Sequence, residues 1–180
     1  PDRQTDKYIS LGEKLLRCNS PKVIFMDSSI LSYFETKKYT NTIFYPIDKT
    51  QLFLHPYMNL IQSNGVNTNF PKKDTTEYMA LMCNKTEFMR TATQYNPFQS
   101  DNFVWIDFGI HHVCDCNDDE FEKIIHQVTT KEYNQLRIAS IINPYTTKIT
   151  TDIYKNVVWY FAGGVFGGDI KSIISFAKLR

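Results

Sequence analysis

No stretch of this sequence approaches the roughly 18 consecutive apolar residues that a membrane-spanning helix needs, and residues 1–7 carry no signal-peptide pattern. No transmembrane segment is expected, and a soluble cytoplasmic or other intracellular protein is the expectation. Cysteine is sparse: Cys18, Cys83, Cys114 and Cys116 are too few and too unevenly spaced for a disulfide scaffold. That favours a reducing compartment. A dominant charge is lacking too, since 20 Lys and Arg stand against 19 Asp and Glu for a formal net charge of +1. Nucleic acid is therefore not an expected partner. Neither a Gly-x-Gly-x-x-Gly fingerprint nor a P-loop is present, and no Gly-x-Ser-x-Gly elbow, Cys/His nucleophile pair or identifiable acid and base pair occurs. Hydrolase chemistry has no support.

What is present is ordinary globular composition, 42% hydrophobic and 22% charged, in 180 residues, enough for one domain. The 13 Phe and 11 Tyr are numerous. Ile, Asn and Lys are plentiful as well, as AT-rich codons would make them, so no aromatic surface follows. Apolar runs rich in β-branched and aromatic residues, at 22–26, 42–45, 102–106, 138–142 and 157–161, predict buried strands. Helical spacing predicts helices over 7–17, 28–38, 51–62, 75–95, 118–128 and 170–178. The alternation predicts a single α/β domain over 1–180 with a Rossmann-like mixed, mostly parallel sheet and helices on both faces. At the 75–95 helix, Asp74 stands three positions before Glu77 at the capping-box spacing, and Asn96-Pro97 ends the segment. Asn117 to Glu120 supplies a second acidic helix start.

In such a sheet, ligands sit beyond the carboxyl ends of the strands, so Asp27, Asp107 and the residues from Ala162 onward are where chemistry is sought. Asp107 ends the apolar run Asn102-Phe-Val-Trp-Ile and is followed closely by Gly109. An acid so placed suits a ribose hydroxyl or a hard cation, Mg2+ or Mn2+, and equally suits capping of the next turn. On the 75–95 helix, Lys85 falls inside the stripe of Tyr78, Leu81, Met82, Phe88, Met89, Ala92 and Tyr95. A lysine there needs a protein carboxylate or an anionic ligand, and both alternatives stand. His111, His112, Cys114, Asp115 and Cys116 lie close together, but Cys-x-Cys is short for zinc and no second cluster completes the site. One of the two histidines can instead assist Asp107. Finally, Gly163, Gly164, Gly167 and Gly168 follow a strand and precede a helix opened by Asp169. We read them as a loop where backbone approaches a neutral, hydroxyl-rich ligand such as a sugar, or as tight turns packed on a neighbour.

The strings Thr-Glu-Tyr-Met-Ala-Leu-Met-Cys-Asn-Lys85, Asn96-Pro-Phe, Phe-Val-Trp-Ile-Asp107-Phe-Gly-Ile and Phe-Ala-Gly163-Gly-Val-Phe-Gly-Gly168 together resemble the HtrL/YibB family. The resemblance covers most of the chain and implies a branch of the nucleotide-sugar glycosyltransferases of the GT-A fold. It implies a sugar-nucleotide donor, a glycan or other hydroxyl acceptor, and donor-binding roles for Lys85, Asp107, Gly109 and Asp27. Gly163, Gly164, Gly167 and Gly168 would then approach the sugar or acceptor. Asp107 matches the first acid of the metal-binding Asp-x-Asp motif, while the second is replaced by Gly109. A bound Mg2+ or Mn2+ would thus need His111, His112 or a residue further along. The resemblance also implies a strand before Tyr8 and helices after the glycine segment, so the chain is expected to be incomplete at both ends. Beside this transferase reading stand two others: an inactive nucleotide- or glycan-binding module, and a structural α/β subunit in which Lys85 pairs with a protein carboxylate and no cleft opens at Asp107.

Overall fold

Two small sheets, held side by side by helices on both faces, make up the architecture of the computed structural model, which describes residues 5–64, 67–143 and 160–179. The elements follow in order: α1 (Thr5–Arg17), β1 (Lys22–Asp27), α2 (Leu31–Glu35), β2 (Thr42–Ile47), α3 (Met58–Asn64), α4 (Thr76–Cys83), α5 (Lys85–Tyr95), β3 (Asn102–Ile106), α6 (Asp118–Thr130), β4 (Arg137–Ser140), β5 (Phe161–Asp169) and α7 (Ile170–Ala177). None of the described helices is long and apolar enough to cross a membrane.

The mixed α/β class is as expected, but the described residues form no mostly parallel Rossmann-like sheet. β1 and β2 pair in parallel, with Lys22 opposite Thr42 and Asp27 opposite Ile47. β3, β5 and β4 form a separate antiparallel sheet in that order, with Asn102 opposite Asp169 and Ile106 opposite Val165. The cause is the glycine segment. It was expected to be a loop after a strand at 157–161, yet it forms the interior of β5 itself, running back between β3 and β4; residues 157–159 lie outside the described set. Gly167 makes this possible, because a Cβ there would stand 2.5 Å from the Phe103 carbonyl oxygen. Gly168 is similarly enclosed by the backbone of Gln135 and Leu136. Both are packing residues.

Among the described residues no ladder joins β1 to β3, and side chains span the two sheets instead. On one face Leu16 of α1 packs with Met26 and Phe34 on the β1 side, while Leu15 packs with Phe121, Ile125 and Ile106 on the β3 side. On the other, Phe88 of α5 stacks between Phe25 (4.9 Å between centroids) and Trp105 (5.9 Å). Phe34, Phe121, Leu16 and Ile173 are the largest fully buried side chains, each worth about 1.5–3 kcal/mol in apolar burial. Gly12 lets α1 lie against the turn after β3, since a Cβ there would overlap the Phe108 ring at 1.9 Å.

The expected 75–95 helix is two helices. Asn84 interrupts it with a buried side chain whose Oδ1 accepts from Phe53 N at 2.7 Å, and with a backbone ψ of −8°. The expected apolar stripe is therefore only partly buried: Phe88, Met89 and Ala92 face the core, whereas Leu81 and Tyr95 are exposed. Thr75, not Asp74, caps α4, accepting from Tyr78 N at 3.2 Å. Asp74 turns inward to accept from Thr68 Oγ1. At α6 the expected start is as read, a capping box between Asn117 and Glu120 at 3.0 and 3.2 Å.

Candidate functional site

Three segments far apart in sequence meet where β3 ends. Asp107 is the first residue beyond the strand, and its amide still continues the ladder by donating to Gly164 O at 2.8 Å. This fixes the backbone under the carboxylate. Lys85 opens α5 and points at it: Nζ donates to Asp107 Oδ1 at 2.6 Å and to Gly163 O at 3.0 Å. Trp105, on the same face of β3 two residues earlier, donates from Nε1 to the same Oδ1 at 2.6 Å. The ammonium also lies 5.7 Å from the centre of the Trp105 ring. Lys85 is the inner partner, its side chain 10% exposed against 35% for Asp107.

The arrangement satisfies a buried cation with a carboxylate, a carbonyl and an aromatic face. Its second carboxylate oxygen, Oδ2, remains on the Gly164 side, 3.6 Å from where a Cβ on that glycine would stand. At Gly163 an added Cβ would meet nothing within 4 Å among the described residues, which leave the backbone there open to approach. The cluster can therefore accept a hydrogen bond at one carboxylate oxygen beside a fixed positive charge.

Of the residues picked from sequence, Lys85, Asp107, Gly163 and Gly164 are brought together, and the others are not. Gly167 and Gly168 sit deeper in β5 with their packing role. Asp27 ends β1 on the exposed surface and caps the following turn, accepting from Ser29 N at 2.8 Å; hydrogen bonding from the Ser29 side chain, and then from this amide, holds its carboxyl below the usual range. Gly109 is buried without offering a group to the site; a Cβ there would come within 2.8 Å of the Tyr8 ring. The histidines turn elsewhere. His111 lies on Phe121 and 3.4 Å from Asp118 Oδ1, whose main partner is Lys14 at 2.7 Å, and His112 Nδ1 meets Gly109 O at 2.6 Å. Neither joins Asp107, contrary to the expected metal set.

Lys85 does have the protein carboxylate that the structural reading requires, and two cavities lie elsewhere. One, of about 320 Å³, is lined by Val104, Val165, Tyr133 and Arg137 on the α6 side of the antiparallel sheet. The other, of about 620 Å³, lies between Cys18 to Pro21 and α6. Trp105 was missed in sequence as a functional group. The signal was available, because strand alternation places residues 105 and 107 on one face.

The family profile described as "Bacterial protein of unknown function (HtrL_YibB)" matches residues 2–180. The chain belongs to the HtrL/YibB family. No curated protein and no solved structure matches it. In this HtrL/YibB chain the recognised strings around Lys85, Asp107 and Gly163 are thus the ones that meet in space.

Proposed function

We propose that this HtrL/YibB protein is a transferase that moves a sugar from a nucleotide-sugar donor to a glycan or other hydroxyl acceptor. The observation that carries the reading is the convergence of Lys85 Nζ on Asp107 Oδ1 and Gly163 O at the carboxyl end of β3. A buried pair serving only the core would be sealed on all sides, whereas Asp107 keeps 35% of its side chain exposed and no described residue would crowd a Cβ at Gly163. In this reading Asp107 accepts a donor hydroxyl, Lys85 offsets charge on the departing diphosphate, and the backbone at Gly163 and Gly164 meets the sugar. Positioning and electrostatic stabilisation then supply most of the rate, which suits a site without a nucleophile.

A panel of UDP-, GDP- and CMP-sugars, followed by thermal shift and saturation-transfer NMR with and without Mn2+, tests the reading. We expect one nucleotide class to bind and its signal to weaken in Asp107→Asn. No response to any nucleotide ends it. The single acid that the described residues bring to the site favours one alternative, a binding module without turnover; a direct transfer and donor-hydrolysis assay on the bound sugar nucleotide separates the two.

A further inference from the structure

The Asp107 carboxylate presents two oxygens with different surroundings. Oδ1 accepts from both Lys85 Nζ and Trp105 Nε1 at 2.6 Å. No described residue donates to Oδ2, which faces Gly164. Of the ammonium's three hydrogens, two are directed to Asp107 Oδ1 and Gly163 O, leaving one for a further acceptor. The free groups are thus one carboxylate oxygen and one N–H of a fixed cation, side by side.

The donor set does not fit a hard divalent cation. Mg2+ and Mn2+ want several oxygens in near-octahedral array. Among the described residues a single carboxylate is present here and an ammonium is already bound to it, so a second cation on either oxygen would sit a few ångströms from a like charge in a partly dry setting. Position 109 has no side chain to add, and the Tyr8 ring lies where one would begin. His111 and His112 are engaged with Asp118 and with Gly109 O. Among the described residues no group of three His, Cys, Asp or Glu side chains is placed to share an ion.

We infer, resting on the donor reading above, that the site binds its ligand without a divalent cation, with the Lys85 ammonium as its resident positive charge. Trp105 is a positioning residue: its indole N–H keeps Oδ1 turned to the ammonium and thereby presents Oδ2 to the ligand. The matching ligand chemistry is a hydroxyl that donates to Oδ2, with an anionic oxygen close enough to take the remaining hydrogen of Lys85. The sugar-phosphate part of a sugar nucleotide has both.

The experiment uses the whole chain in two arms. In the first, Mn2+ is titrated alone and followed by electron paramagnetic resonance; we expect no stoichiometric site. In the second, affinities for UDP-, GDP- and CMP-sugars are measured by calorimetry in excess EDTA and in millimolar Mn2+. We expect the best binder to change by less than about twofold between the two conditions, and Lys85→Met to weaken it by about tenfold or more with no recovery in Mn2+. Lys85→Arg keeps the charge and should keep the EDTA resistance, which guards against a Met variant that fails to fold. Binding that disappears in EDTA, or a stoichiometric Mn2+ site that Asp107→Asn removes, overturns the inference. If no sugar nucleotide binds in either condition, the donor reading fails instead, and the Mn2+ titration alone then decides: silence upholds the metal-free assignment and a site lost in Asp107→Asn overturns it.

Discussion

Trp105 and Asp107 are two residues apart on one face at the end of β3, and the indole Nε1 donates to the Asp107 Oδ1 that also receives Lys85. The indole thus does two jobs, packing against Phe88 and Phe166 and orienting the acid. Trp105→Phe separates them, because the ring stack is kept and the donor is lost. We expect a stability loss of about 1.5–3 kcal/mol, the range for one hydrogen bond to a charged group. Ligand affinity should fall while the circular-dichroism spectrum stays native. A variant that binds as tightly as the parent would show that the indole N–H does not orient the acid.

The ion pair is lopsided in burial, and this predicts an asymmetry between its two deletions. Asp107→Asn leaves the Lys85 ammonium, 10% exposed, facing an amide and one carbonyl. We expect about 2–4 kcal/mol lost in urea unfolding, since a buried charge is stranded. Lys85→Met leaves a carboxylate that keeps 35% of its side chain in water, so about 1–2 kcal/mol is expected. Equal losses, or the reverse order, would contradict the assignment of Lys85 as the inner partner.

Much of this was legible in the sequence because the evidence for it is local. The apolar runs that became β1, β2 and β3, the Asn117 capping box and the polar residue inside an apolar stripe at Lys85 are all patterns within a few residues. What was not legible depends on partners distant in the chain. The direction of β5 is set by which backbones it lies between, and its glycines resemble a loop until the Phe103 carbonyl is seen 2.5 Å from where a Cβ would be. The interruption at Asn84 depends on the Phe53 amide, 31 residues away. The histidines, adjacent to Asp107 in sequence, are drawn off by Asp118 and by a backbone carbonyl.

Gly167 and Gly163, one from each glycine pair, should respond differently to alanine. Gly167→Ala places a methyl against the Phe103 backbone, which cannot move without breaking the β3–β5 ladder, so a loss of about 3 kcal/mol or more is expected. Gly163→Ala meets open space and should unfold within about 0.5 kcal/mol of the parent. Comparable melting temperatures for the two variants would mean that β5 is not the central strand of its sheet.

The acid limb of the stability profile follows from capping carboxylates. Asp169 accepts from Ser172 N at 2.6 Å at the start of α7, and hydrogen bonding from the Ser172 side chain first, with that amide second, holds its carboxyl below the ordinary value of about 3.9. Asp27 and Asp48 are lowered by the same kind of contact with Ser29 and Thr50, and Asp118 by its bond to Lys14. A depressed folded pKa means that the contribution is complete above the unfolded value and is lost as pH falls through the folded one. Stability should therefore hold from neutrality to about pH 4 and decline below it. Asp169→Asn keeps an oxygen for the Ser172 amide but cannot titrate, so its melting temperature should fall less steeply than the parent's between about pH 4 and pH 2. Thermal unfolding at a series of pH values checks this, and parallel curves for the two proteins would show that Asp169 has no part in the acid transition.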